Sequence, residues 1–157
     1  MKFKLICIGK LSEVWQREAA EEYAARVQRY FPLDIVELKE EKGGRKGDTA
    51  GILDREGARI LEKVPERAFL IVLDERGRNF GSESFSDLLS AEMLHGGRDW
   101  CLVIGGPYGL DSEVRKKADL LLSLSKMTFT HQMARIFLLE QLYRSCTIIK
   151  NEPYHNR

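Results

Sequence analysis

Phe69-Leu70-Ile71-Val72-Leu73 is an unbroken apolar run closed by Asp74, and Trp100-Cys101-Leu102-Val103-Ile104 is a second, closed by Gly105. A strand that faces water on one side alternates apolar and polar residues. A run without alternation belongs to a strand covered on both faces, the situation in a parallel sheet flanked by helices. Outward from these two runs, Phe3 to Ile8 reads as a strand ended by Gly9, and Leu120 to Leu124 as another. Leu33 to Leu38 carries Asp34 and Glu37, which predicts a half-exposed strand.

Helical patterns fill the intervals. Ser12 is the expected N-cap of a helix running to about Tyr30, with Trp15, Ala19, Tyr23 and Val27 as its apolar stripe and Pro32 as its stop. A second helix carries Leu53, Gly57, Ile60, Leu61 and Val64 and ends at Pro65. Ser82 or Ser84 caps a third, with Phe85, Leu88, Leu89 and Met93 inward and Gly96-Gly97 as terminator. Asp111 or Ser112 opens a short helix through Lys117. The last helix runs from His131 to about Ile149, with Met133, Ile136, Phe137, Tyr143 and Cys146 inward. Strands alternating with helices predict an α/β fold with a mainly parallel sheet. The 157 residues fit one domain, 1–157.

Composition narrows the function. There are 25 Lys+Arg against 24 Asp+Glu, which excludes a globally basic nucleic-acid coat. The charge is uneven, however. Residues 105–157 hold 8 Lys+Arg and 5 Asp+Glu, an excess suited to gripping a few phosphates. Cys7, Cys101 and Cys146 have no C-x-x-C spacing and read as reduced buried thiols. With no apolar run near the roughly 20 residues that span a bilayer, the expected location is the cytoplasm. Lys39 to Asp48 is the one shift in composition, charged and glycine-rich. It reads as a solvated loop or as an RNA-touching one.

Open α/β sheets bind ligands at the carboxyl ends of their strands. Three segments lie there: Asp74-Glu75-Arg76-Gly77, Gly105-Gly106-Pro107-Tyr108-Gly109-Leu110, and Ser125-Lys126-Met127-Thr128-Phe129-Thr130-His131. The glycine segment is neither G-x-G-x-x-G nor a P-loop, and Pro107 lacks the N–H that would meet phosphate. It suits close approach of backbone to a flat ligand. His95, His131 and His155 have no metal-ligand spacing, and no metal site is expected. On residues alone two readings stand: a Rossmann-type methyltransferase or other nucleotide-binding enzyme, and a non-enzymatic RNA- or ribosome-binding module.

The ordered set of Met1-Lys2, Ile8-Gly9-Lys10, Leu73-Asp74, Ile104 to Leu110, Ser123 to His131, Glu140-Gln141-Leu142-Tyr143-Arg144 and Pro153-Tyr154-His155 resembles the ribosomal RNA large-subunit methyltransferase H family of SPOUT methyltransferases. The resemblance spans the whole chain. It implies a C-terminal trefoil knot over about 100–157, methylation of N3 of a pseudouridine in large-subunit (23S) rRNA, S-adenosylmethionine as cofactor and a homodimer. By the family's motif, cofactor contacts fall on Leu73, Gly105, Leu124, Ser125, Lys126, Met127, Thr128 and Phe129. The tail residues Tyr154, His155 and Arg157 would complete the neighbouring subunit's site. Members often carry a basic residue directly after the histidine; this chain has Asn156 and then Arg157. The apolar surplus of the last helix also points to an interface between copies.

Overall fold

The computed structural model describes residues 1–43 and 47–156. In chain order they form β1 (Phe3–Ile8), α1 (Val14–Gln28), β2 (Leu33–Leu38), α2 (Thr49–Lys63), β3 (Phe69–Asn79), α3 (Ser82–Ala91), β4 (Trp100–Ile104), α4 (Ser112–Lys117), β5 (Leu120–Ser123) and α5 (His131–Ile149). The strands make one parallel sheet in the order β2-β1-β4-β3-β5. The most apolar runs, β1, β4 and β3, hold its centre.

Alternation along each strand divides the core in two. Phe3, Leu5, Phe69, Ile71, Trp100, Leu102 and Ile104 face α1, α3 and α5, meeting Ala24, Val27, Phe85, Leu89, Leu138 and Leu142. Ile6, Ile8, Leu70, Val72, Cys101 and Val103 face α2 and α4, meeting Ile60 and Val114. Trp100 is fully enclosed, with Phe3, Phe69 and Phe85 rings 5.7–6.0 Å away. On the second face α2 and α4 approach closely at Gly57, where a Cβ would sit 2.7 Å from Cβ of Asp111. The cysteines are buried and unpaired, and burial pushes each thiol up to about 12.

Several element boundaries differ from the sequence expectation. Glu13, not Ser12, caps α1 in a reciprocal capping box with Gln16, and the helix ends at Gln28. Its buried line is Gln16, Ala20, Ala24 and Val27, which leaves Trp15 54% exposed. Gly81 caps α3 in place of Ser82 or Ser84. The helix passes into a π-helical turn, Glu92–Gly96, that carries Met93 out to solvent before Gly97 ends it at φ +62°. β3 continues six residues beyond Leu73 because a bulge resets its pairing, so that Arg78 and Asn79 rejoin β5 at Leu122 and Ser123. β5 stops at Ser123, one residue before Leu124.

The path of residues 124–130 positions the site. β5 is an edge strand beside β3, yet α5 starts near the far strands. Arg135 donates to the Gly9 carbonyl at 2.8 Å and to Glu37 Oε2 at 2.6 Å, at the ends of β1 and β2. The connection therefore crosses the carboxyl ends of β3 and β4. Thr130 caps α5, its Oγ1 accepting from the Met133 N–H at 3.3 Å. Thr130→Ala is expected to cost about 1 kcal/mol in urea unfolding, the usual worth of such a cap. No change would show the crossing segment to be held by other contacts.

α5 lies between α1 and α3, which bury Ile136, Leu138, Leu139 and Leu142 within the chain. The apolar surplus read from the sequence is largely consumed there. Phe137, 37% exposed, remains at the surface.

Candidate functional site

The three strand-end segments enclose a cleft of about 930 Å³. Leu73 and the β3 bulge form one wall, the glycine loop 105–110 the second, and the crossing segment the third. Leu53 of α2 and Arg115 of α4 join from the sides.

The glycine loop is built by close backbone approach. Gly109 has φ +87°, and its N–H donates to the Gly106 carbonyl at 3.0 Å. A Cβ on Gly105 would sit 2.5 Å from the Gly109 carbonyl oxygen and 2.7 Å from Leu110 Cγ. Gly105 is therefore required because the loop folds back onto it. Gly106 is buried against Ile8. The crossing segment is held by its serines. Ser123 Oγ donates to the Ser125 carbonyl at 2.8 Å, and Ser125 Oγ accepts from the Met127 N–H at 3.0 Å. Tyr108, Met127 and Phe129 stand exposed around the mouth.

Of the residues assigned to the cofactor by resemblance, Leu73, Gly105, Leu124, Ser125, Met127, Thr128 and Phe129 line this cleft. Lys126 is exposed and lies off the lining. Asp74 lines the cleft too, but its carboxylate is engaged locally. Oδ1 accepts from the Arg76 N–H at 2.8 Å, and Oδ2 lies 3.4 Å from Arg115. Leu53 and Arg115 were not singled out in the sequence. Leu53 reads there as one of a helix's apolar residues, and the only signal for Arg115 is its place in the helix that follows the glycine loop.

His131 opens α5 at the cleft, with Nε2 3.6 Å from Glu40 Oε1. Burial holds its pKa below the ordinary histidine value; Arg135 adds to this and Glu40 opposes it. The imidazole is neutral at pH 7. Behind the glycine loop, Glu56 is buried on α2 and accepts the Glu41 N–H at 2.9 Å, tying residues 39–43 to the core. Glu41 is itself paired with Arg55 at 3.2 Å and Arg59 at 3.1 Å. Arg45 and Lys46, the centre of the loop's basic reading, lie outside the described residues.

Burial raises the Glu56 pKa above the glutamate value. The unfolded chain then releases this proton at lower pH than the folded one. Glu56 thus takes away stability as pH climbs from the ordinary glutamate range through its raised value. Glu56→Gln keeps an acceptor for Glu41 and is expected to flatten that slope in urea unfolding between acid and neutral pH. An unchanged slope would assign the dependence elsewhere.

The tail lies apart from the cleft. Tyr154 packs on α5, its ring 4.6 Å from that of Tyr143, and its hydroxyl donates to Glu140 Oε1 at 3.0 Å. The Arg144 guanidinium stacks 4.7 Å from the Tyr154 ring, and its Nη1 lies 3.2 Å from His155 Nδ1. Burial, with Tyr23 and Glu140 beside it, holds the Tyr154 phenol far above the ordinary tyrosine range, so it stays protonated. Arg157 lies outside the described residues. Neither Tyr154 nor His155 lines the cleft of its own chain.

Among the described residues no three His, Cys, Asp or Glu side chains gather into a metal-holding group, and no helix is long and apolar enough to cross a membrane.

Residues 1–155 match the family model described as "Predicted SPOUT methyltransferase". The chain is 56% identical over 157 residues to the ribosomal RNA large subunit methyltransferase H of Syntrophotalea carbinolica, covering 100% of both. It is 45% identical over 156 residues to the protein of the same name from Geotalea daltonii, covering 99% of this chain and 100% of that one. Among solved structures, a methylase family protein from Haemophilus influenzae matches with TM-score 0.55 at 14% identity, over 99% of this chain and 70% of its own. A Legionella pneumophila methyltransferase solved with the bound cofactor SAM matches with TM-score 0.51 at 15% identity, over 90% and 65%. The fold with its crossing segment, the family model along nearly the whole chain and these full-length relatives agree: the chain belongs to the SPOUT methyltransferase family.

Proposed function

We propose that the protein is a cytoplasmic rRNA methyltransferase acting as a homodimer on N3 of a pseudouridine in 23S rRNA within the large subunit or the assembled ribosome. One observation carries this reading: the cleft at the strand ends and the tail that resembles the family's substrate-side element are both present, but on separate parts of the chain. A second copy placing its tail over the cleft would bring them together.

The cleft fits S-adenosylmethionine. The return of residues 109–110 onto Gly105 packs the loop tightly and leaves its outer side to the cleft. Leu73, Leu124, Met127 and Phe129 supply apolar walls; of the two carboxylates on the lining, Glu75 is exposed and Asp74 is occupied by Arg115 and the Arg76 N–H. When bound, the cofactor supplies an electrophilic methyl group on a cationic sulfur. Positive charge on sulfur disappears along the reaction, so an apolar wall favours the transition state where a carboxylate would favour the ground state. The chain's part is to hold the two reactants in line, which can be worth about 7–11 kcal/mol in favourable cases.

The target nitrogen must lose its proton before or as the bond to carbon forms. Tyr154 stays protonated in the folded chain and is a donor, not a base. Its one hydroxyl hydrogen is given to Glu140 in the free chain, so it would stabilise negative charge on a uracil carbonyl only by exchanging that partner for the target. Mixing two impaired variants at limiting cofactor tests the shared site: Gly105→Val, with a damaged cleft and an intact tail, and a chain ending at Pro153, with the reverse. Recovered methyl transfer on ribosomes is the expected result. A mixture as impaired as its components contradicts the site shared between copies.

A further inference from the structure

The tail's histidine is bracketed by charges of opposite sign. Arg144 Nη1 lies 3.2 Å from Nδ1, while Glu83 Oε1, at the start of α3, lies 3.9 Å from Nε2. A guanidinium carries donors only. The contact at 3.2 Å is therefore a hydrogen bond only if Nδ1 is the unprotonated nitrogen, which leaves the ring hydrogen on Nε2. The carboxylate on the other side favours the same arrangement, since an Nε2–H dipole points its positive end toward Glu83. Among the described residues Glu140, Tyr154 and, further off, Tyr23 are the other titratable groups acting on Arg144. Glu140 fixes the guanidinium from below through Nη2 and, at 3.4 Å, through Nε. Tyr154 covers its face. Arg144 is thereby held by two groups, Glu140 and Tyr154, with Nη1 left for His155.

We infer that Arg144 is a positioning residue that holds His155 as the neutral Nε2–H tautomer, so that His155 serves methyl transfer as a hydrogen-bond donor and not as its general base. Its role in transfer rests on the tail reading given above. A base must offer a lone pair, and in this arrangement the lone pair at Nδ1 is occupied by a cation that cannot accept the proton. Nε2–H remains a donor. Aimed at a uracil oxygen, it would stabilise the negative charge that the ring acquires when N3 is deprotonated. Glu140 enters as the clamp on Arg144, which gives the Glu140–Arg144 spacing of four residues a purpose beyond an ordinary helical ion pair.

The imidazole nitrogens of ¹⁵N-histidine-labelled full-length protein report the tautomer directly, because protonated and bare ring nitrogens resonate far apart. At neutral pH the expected pattern for His155 is a protonated Nε2 and a bare, hydrogen-bonded Nδ1. Arg144→Met should collapse it toward exchange-averaged positions. Arg144→Lys, which keeps a cationic donor on α5 and guards against a misfolded methionine variant, should retain most of it. In single-turnover transfer with saturating cofactor, Arg144→Met should lose about tenfold, the worth of one charge-assisted hydrogen bond, with unchanged cofactor affinity and substantial rescue by lysine. A wild-type His155 protonated at Nδ1, or resonances indifferent to Arg144→Met, would overturn the tautomer assignment. If His155→Ala transfers methyl at the parental rate, the tail reading fails and the donor role fails with it, while the resonances decide the Arg144 contact separately.

Discussion

Replacing Gly105 with valine is expected to lower S-adenosylmethionine affinity by about 10- to 100-fold while the chain stays folded. The first added atom would lie 2.5 Å from the Gly109 carbonyl oxygen and 2.9 Å from its carbon. Both are backbone, so no rotamer change relieves the contact, and the 105–110 loop must open. Forced overpacking of this kind costs about 1–3 kcal/mol, and each 1.4 kcal/mol drawn from binding is about tenfold in affinity. The loop lies beyond the carboxyl end of β4 with Pro107, Tyr108 and Gly109 exposed, so the strain is released at the cleft and not through the core. Gly106→Ala is the matched comparison. Its nearest neighbour is the Ile8 Cγ2 methyl at 3.0 Å, which can give way, and a smaller loss is expected. Calorimetric titration with an intact circular dichroism spectrum checks both. Undiminished affinity in folded Gly105→Val would remove the glycine loop from the cofactor site.

Ending the chain at Pro153 is expected to cost on the order of 100-fold in single-turnover methyl transfer with cofactor affinity unchanged, the scale of effect that lost substrate orientation produces. The sequence suggests that four polar and aromatic residues at a chain end add less than about 1 kcal/mol to stability. The structure raises that figure. Tyr154 stacks on Tyr143, lies under Arg144 and bonds Glu140. One aromatic pair and one cation–π contact of typical strength lose about 1–2 kcal/mol together. Tyr154 and His155 are docked on α5 in the free chain. Full transfer rate in the truncated chain would make the tail a structural brace only.

Where sequence and structure part company, the reason is physical. Runs of four or five apolar residues identify β1, β3 and β4, because burial on both faces leaves few polar positions (Lys4 in β1) to obscure them. The bulge that extends β3 to Asn79 had no such signal, since Asp74 to Arg78 are polar and a reset of register depends on β5. Trp15 was expected inside because a spacing of four fits a helical stripe, but the true stripe is one residue further on, headed by the capping Gln16. At Gly105 the sequence suggests room for a flat ligand beside the backbone, and the structure shows a different constraint there, the return of Gly109 onto it. The contacts of the tail with Glu140 and Arg144 span 10 to 14 residues of chain and depend on how residues 150–153 turn, which no periodicity encodes.

The proposed reaction is methyl transfer to one ring nitrogen of one rRNA nucleoside. The most direct measurement supplies isotope-labelled S-adenosylmethionine to the purified protein with whole ribosomes, separated subunits and naked rRNA, then digests the RNA and locates the label by mass spectrometry. The account predicts a single labelled nucleoside, a pseudouridine methylated at N3, from large-subunit rRNA. Label on a ribose, on another base or on no RNA in any of the three substrates would contradict it.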